Sequence, residues 1–309
     1  MSPRMRIPQI VGAYPELLLV ILAAALGLVV ARPLRWADDH QAIDALLIVL
    51  VFATAVTVSA NSLRQVLSSW KHLVIALVMG VTVLPVLSWL ASRLVAAGSL
   101  RDGITVVGIA PCEIASVATT ALAGGGTALA GALLIGSTLL SVVFAGLILS
   151  GLSDNAHVHP LHILINLVVV VGIPLALGVV LASARTLGPR SLAVAERTAT
   201  GALAGLVCLV AAQVHIGTAY AGVLLAIVVI VGFSALLGVG LGRTATRDGA
   251  ISLLLTTSMR DFAIAAGLAT SAFGPAAAAP LGLYGVVVIL WGTGAAGWLR
   301  SRTGPRPPR

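Results

Sequence analysis

Charge is what this chain has least of. Only 9% of its 309 residues are Asp, Glu, Lys or Arg, where a soluble domain carries about a quarter. With 59% hydrophobic residues and a mean hydropathy of +1.10, the chain is excluded from water. It belongs in lipid, where each span needs about 20 mostly apolar residues. Strand-like alternation is missing too: the apolar residues come as continuous runs, which argues against a β-barrel. Backbone groups in lipid must be satisfied within their own segment, so the spans are helices. The two cysteines, Cys112 and Cys208, both fall inside apolar runs and give no disulfide framework. A His-Glu-x-x-His motif and a nucleophile–base pair are also lacking, which excludes the common intramembrane enzymes. His157, His159 and His162 have metal-like spacing, but beyond Asp154 no carboxylate or Cys joins them. They read as a hinge, and neither a metal nor a cofactor is expected.

What is present is a succession of spans. No charged residue occurs from Ile114 to Ser153, Asn155 to Ala184, Thr198 to Gly242, or Phe262 to Leu299. The third run is long enough for two helices and breaks near His215-Ile216-Gly217-Thr218; Gln213 and His215 read as its loop. The spans fall at roughly 14–31, 43–60, 72–97, 103–122, 127–151, 160–184, 198–215, 219–242, 249–273 and 277–299. The first, Leu17 to Ala31 after Arg4 and Arg6, is followed by Arg32-Pro33-Leu34-Arg35. No small-residue cleavage site is there, so this span is expected to be retained.

The net charge of +8 would suggest nucleic acid in a soluble chain. Here the basic residues sit in short loops and report topology instead. With the N-terminus in the cytoplasm, 13 of the 18 Lys and Arg are cytoplasmic and 4 external, and Arg260 lies within a span. The bias places both termini in the cytoplasm of a multi-pass inner (plasma) membrane protein. The Arg-rich tail, Arg300 to Arg309, reads as an anchor to anionic lipid.

Ten spans divide into two sets of five, 1–155 and 156–309, and an odd number per set turns the second upside down. Inverted repeats of this kind mark secondary transporters. Span 4 opens with Arg101-Asp102-Gly103 and span 9 with Arg247-Asp248-Gly249, each Asp placed to cap a helix. Each span carries an interior acid followed by x-Ala, Glu113-Ile114-Ala115 and Asp261-Phe262-Ala263, and ends at a breaker, Gly124-Gly125-Gly126 or Gly274-Pro275. The fold class expected is therefore an all-α polytopic membrane protein: ten transmembrane helices, two inverted five-helix repeats, and two broken crossover helices, spans 4 and 9.

The interior charges Glu113, Arg260 and Asp261 are costly in lipid, so they face a cavity, pair with one another, or both. A Glu113–Arg260 ion pair that only joins two helices is the plain alternative. Ala110-Pro111-Cys112 interrupts span 4, since Pro removes a backbone hydrogen bond. Half-helix ends exposed at mid-membrane hold anions at N-termini and cations at C-termini. In span 9 the polar run Thr256-Thr257-Ser258-Met259-Arg260-Asp261 marks the second break. Pro111, Cys112, Glu113, Ser116, Thr119, Thr256, Ser258, Arg260 and Asp261 form the candidate substrate-binding and coupling set. Gly131-Ala132 and Gly136 are expected to allow close helix packing.

The segment from Ala110 to Gly125, with Ser137-Thr138-Leu139, Leu50-Val51-Phe52 and Leu84-Pro85, resembles the bile acid:sodium symporter family, within the bile–arsenite–riboflavin transporter superfamily. The resemblance covers nearly the whole chain. It implies ten helices in five-plus-five layout, with two crossover helices that meet at mid-membrane and line the substrate path. It also implies sodium ligands, and here the chain departs. Ser116 is retained, but the expected Asn is Val117. The expected hydroxyls are Ala130 and Leu134, and the expected Glu and Gln of span 9 are Thr256 and Arg260. The third-span Gln is Gly80. Val, Ala and Leu cannot ligate a hard cation, and Arg260 brings a permanent positive charge.

The expected function is a symporter-like secondary transporter of a small organic anion by alternating access, not coupled to sodium. Arg260 would substitute for the coupling cation and neutralise Glu113 or Asp261, and the driving ion would be a proton or none. Its partners would be an anionic small molecule and the bilayer, without nucleic acid. Two alternatives stay open. One is a metalloid or neutral-solute permease using Cys112, since the related arsenite permeases carry a Cys after the equivalent break. The other is a non-transporting membrane sensor with the same fold.

Overall fold

The computed structural model describes residues 15–38, 41–57, 70–152, 160–184, 188–213 and 217–301. Among them the chain is helical, and the one extended pairing is a single bridge. Arg4, Arg6, Arg64, Asp154, His157, His159, Arg185, His215 and the tail beyond Ser301 lie outside the described residues.

The first helices are α1 (Pro15–Val29), the short α2 (Ala31–Asp38), α3 (Ala42–Thr57) and α4 (Trp70–Ser92). The next three are α5 (Ser99–Val107), α6 (Ala115–Leu122) and α7 (Thr127–Leu152). A single apolar element then runs as α8 (Pro160–Leu167), a π turn (Val168–Gly172) and α9 (Ile173–Ala184). The π turn comes just before Pro174, whose ring and missing N–H a regular helix cannot accommodate. The rest is α10 (Pro189–Ala212), α11 (Ala219–Gly242), α12 (Arg247–Ser258), α13 (Phe262–Phe273), a 3-10 turn (Pro275–Ala278) and α14 (Ala279–Ser301).

Six helices among the described residues are long and apolar enough to cross a membrane: Trp70–Ser92, Thr127–Leu152, Pro160–Ser183, Arg190–Ala212, Ala219–Gly242 and Pro275–Ser301. At the other four expected spans the helices are shorter. α1 and α3 have 15 and 16 residues. Spans 4 and 9 are each divided in two, α5 with α6 and α12 with α13. Leu161, Leu177, Val180 and Leu236 point outward, which in water would be an aggregation liability and in lipid is an ordinary span surface.

α10 starts at Pro189, nine residues earlier than expected at 198. Gly188 is its N-cap, and Pro at the first helical position is preorganised for a helix. The expected aspartate caps are also corrected. Gly98 caps α5 and Thr246 caps α12, its hydroxyl accepting the Gly249 N–H at 3.3 Å, so Asp102 and Asp248 lie within the first turns. The Gly breakers hold: α6 and α13 end beside Gly124 (φ 76°) and Gly274 (φ 88°), a conformation that suits glycine.

The helices pack in two groups. α10 lies against α1 and α3, and α9 lies against α3. α4 packs on α5 and α7, and α11 packs on α12 and α4. α13 and α14 belong to the second group and also touch the first, α13 through α3 and α10, α14 through α10 and α1. Small residues set several of these contacts: a Cβ at Gly27 would strike the Cys208 carbonyl, and one at Gly108 the Leu84 carbonyl. Gly136 packs on Leu77 in the same way. Gly131 does not, because a Cβ there would meet nothing within 4 Å.

Candidate functional site

Pro111 cannot donate a backbone hydrogen bond, and the fourth span comes apart around it. α5 ends at Val107 and α6 resumes at Ala115. The ninth span is interrupted by only three residues, Met259, Arg260 and Asp261, between α12 and α13. The two interruptions lie side by side and antiparallel, with Cys112 opposite Arg260. Glu113 N–H donates to the Met259 carbonyl and Asp261 N–H to the Pro111 carbonyl, both at 2.9 Å. Each broken helix thus satisfies the other's backbone, which buried peptide groups require.

Neighbouring side chains supply the remaining partners. Ser141 Oγ donates to the Ile109 carbonyl at 2.8 Å, and Ser137 Oγ accepts the Cys112 N–H at 3.0 Å. Tyr284 Oη accepts the Arg260 N–H at 3.1 Å. Tyr284 and the α7 serines support the crossing but were not singled out from sequence. A lone Tyr in an apolar run carries no local signal, and Ser137 entered only through a resemblance.

The register divides the charges. In an extended antiparallel pair, opposed residues share a face and adjacent residues alternate. Cys112 and Arg260 therefore take one face, and Pro111, Glu113, Met259 and Asp261 the other. The side-chain contacts agree. The Arg260 guanidinium sends Nη1 to Cys112 Sγ at 3.9 Å and Nη2 to the Gly108 carbonyl at 3.4 Å. It runs past Gly80, where a Cβ would lie 3.7 Å from Nη1. On the opposite face, Glu113 Oε2 accepts the Phe262 N–H at 3.3 Å. Asp261 Oδ1 caps α13, accepting from Ala263 and Ile264 at 2.9 and 2.8 Å.

Among the described residues, Arg260 makes no direct ion pair with Glu113 or Asp261. Asp261 and Arg260 attract each other across the chain. The guanidinium nonetheless takes up a carbonyl and a thiol rather than either carboxylate, because the pleat turns it away.

Glu113, Arg260 and Asp261 are respectively 2%, 3% and 1% exposed, so the crossing is closed to solvent in this conformation. Three atoms here are buried without a partner: Ser116 Oγ, Arg260 Nε and Asp261 Oδ2. Thr119 Oγ1 reaches Met259 Sδ at 3.6 Å and so borders the anionic face. Thr256 and Ser258 turn back on their own helix, to the Ser252 carbonyl and the Leu254 carbonyl, both at 2.7 Å. Ser258 also accepts the Trp291 Nε1–H at 2.8 Å. Among the described residues, no three His, Cys, Asp or Glu side chains gather as a metal would need, and His162 of the suggested hinge is exposed.

Comparison with known proteins gives one family. The model of the sodium bile acid symporter family matches residues 45–235, more than half of the chain and inclusive of the first break. A search of curated proteins finds no match.

Proposed function

This chain belongs to the sodium bile acid symporter family, and from that membership we propose a secondary carrier that moves a small organic anion by alternating access without sodium. Family and apolar helices together make the chain an integral membrane protein. The proposed layout is ten spans in two inverted five-helix repeats, 1–155 and 156–309, both termini in the cytoplasm of the inner (plasma) membrane. The two divided helices that cross at their breaks support it, as does the excess of Lys and Arg on one side.

One observation carries the sodium-free reading. The break in span 4 leaves the Gly108 carbonyl at the C-terminal end of α5, where a cation is favoured. The Arg260 guanidinium occupies that place, at 3.4 Å from the oxygen. Sodium demands several oxygens at once. Of the positions corresponding to the family's ligands, Ser116 alone keeps an available oxygen; the others are Val117, Ala130, Leu134, Gly80, Arg260 and Thr256, whose hydroxyl is spent on its own helix. The residues present do not fit sodium. A tethered cation does the electrostatic work of one and never leaves, so the driving ion is a proton or none.

The test is uptake of a panel of labelled carboxylates by purified protein in liposomes. Uptake is expected to be equal with sodium or potassium outside. Stimulation by a sodium gradient of tenfold or so would end the reading.

A further inference from the structure

We infer that Glu113 and Asp261 form a one-proton site, holding a single proton between them when the carrier is ready to accept its anion. This rests on the carrier reading above and identifies where its coupling proton resides.

The charges around the crossing do not balance without it. Four half-helix ends meet there, each worth roughly half an elementary charge. α5 and α12 contribute C-terminal, negative ends, and together they match the single positive charge of Arg260. α6 and α13 contribute N-terminal, positive ends. They face two carboxylates, Glu113 meeting backbone N–H groups at the start of α6 (Ile114, Ala115) and the Phe262 N–H of α13, and Asp261 the Ala263 and Ile264 N–H groups of α13. Two negative charges against two half-charges leave a surplus of one, on a face where the Arg260 guanidinium makes no hydrogen bond and attracts Asp261 only across the backbone. The two carboxylates also repel each other, and an uncompensated charge in a water-excluded site is strongly disfavoured.

A proton fits the surplus better than a metal ion. The backbone groups aimed at this face are N–H donors. The carbonyls paired across the crossing, of Pro111 and Met259, already accept the Asp261 and Glu113 N–H groups. A cation would find two carboxylates and a row of donors, far short of an oxygen shell. Asp261 Oδ2, by contrast, is buried with no partner, and a proton shared by the pair supplies one. The step is proton transfer from hydronium to a carboxylate oxygen with release of water, and it needs no other reactant. Loaded, the crossing is neutral and admits an anion; unloaded, it repels one. That ordering is what makes a symporter.

Few other titratable groups bear on the pair. Arg260 and Cys112 lie on the opposite face, and Tyr284 reaches in from α14. The packed faces of α6, α7 and α13 carry no titratable side chain, while α5 has Arg101 and Asp102 and α12 has Arg247 and Asp248, all in first turns at the ends away from the crossing. Of the groups farther off, α10 has Cys208, and α3 has Asp44, with Oδ1 3.9 Å from where a Gly267 Cβ would be.

The experiment is infrared difference spectroscopy of the full-length protein in liposomes, stepping from about pH 9 to about pH 5, a range chosen to span ordinary and buried carboxyls. The carbonyl stretch of a protonated carboxyl is expected with the intensity of one proton. It should be absent in Glu113→Gln and in Asp261→Asn, because either change removes the surplus charge. It should persist in Asp44→Asn and be unaffected when sodium replaces potassium. No band in the unmodified protein, a band that survives both amide variants, or a band erased by sodium would each overturn the proposal. If an amide variant does not fold, Glu113→Asp takes its place. The band should then shift in frequency, and an unshifted band places the proton elsewhere. Because no transport is measured, failure here leaves sodium-free uptake intact, and failure of uptake leaves the band.

Discussion

Cys112 and Arg260 oppose each other across the only extended pairing among the described residues, with the guanidinium Nη1 3.9 Å from the thiol Sγ. The contact fixes which way the one interior cation points. Reversing that face would set Arg260 against Glu113 and Asp261 and make an internal ion pair. As built, cation and carboxylates are held apart by the thickness of a backbone, and each has its own helix ends to neutralise.

Arg260 should not be replaceable by a neutral residue. In Arg260→Gln the buried Gly108 carbonyl loses a charged donor, worth about 1.5 to 3 kcal/mol. The midpoint of thermal unfolding in detergent should drop, and uptake should fall at least tenfold. Arg260→Lys keeps the charge but not the fork, and should recover part of the stability. Equal melting of all three proteins would show that the guanidinium contacts contribute nothing.

Two glycines should respond oppositely to alanine. A Cβ at Gly108 would overlap the Leu84 carbonyl and Ser88 Oγ, pushing α5 off α4 at about 1 to 3 kcal/mol. A Cβ at Gly131 meets nothing within 4 Å, and alanine there gains about 0.8 to 1 kcal/mol of helix propensity. Thermal melting of Gly108→Ala and Gly131→Ala should bracket the parent. A lowered midpoint for Gly131→Ala would show that its neighbourhood is closed.

Asp261 caps α13, the proposed proton site gives it a second duty, and two substitutions divide them. Asn caps a helix about as well as Asp, whereas Ala loses about 0.5 to 2 kcal/mol. Asp261→Asn should therefore melt near the parent while losing acceleration by an inward proton gradient, and Asp261→Ala should lose both. A variant Asn protein that still responds to the gradient would place the coupling proton elsewhere.

Cys112 should be dispensable as a ligand. Cys112 is 4% exposed and its thiol is turned towards Arg260, so in the unmodified protein it should react only slowly with maleimide; Cys112→Ser, which keeps a small polar group against Nη1, should retain carboxylate uptake within about twofold. Loss of arsenite handling in that variant would favour the metalloid permease instead.

Much of this was legible in the chain itself, through two kinds of signal. Pro111 announced the first break because its chemistry forbids a regular helix. The run from Thr256 to Asp261 announced the second through its polarity and its symmetry with the first. Tyr284 and Ser141 left no trace, since a hydroxyl in an apolar helix looks the same whether it bonds its own turn, as Thr256 does, or a partner's backbone, as Ser141 does. The aspartates 102 and 248 misled for a related reason: a cap is defined by where the helix begins, and α5 and α12 begin one or more residues earlier.

Composition and order along the chain settled the solvent this protein lives in, the helical character of its spans, and the three costly charges kept within them, because transfer energies and backbone satisfaction depend on local residue content. Which of those charges face one another was decided only in three dimensions. It follows from the register in which two interrupted helices pair, and a shift of one residue, invisible in either segment alone, would turn every side chain at the crossing to the other side.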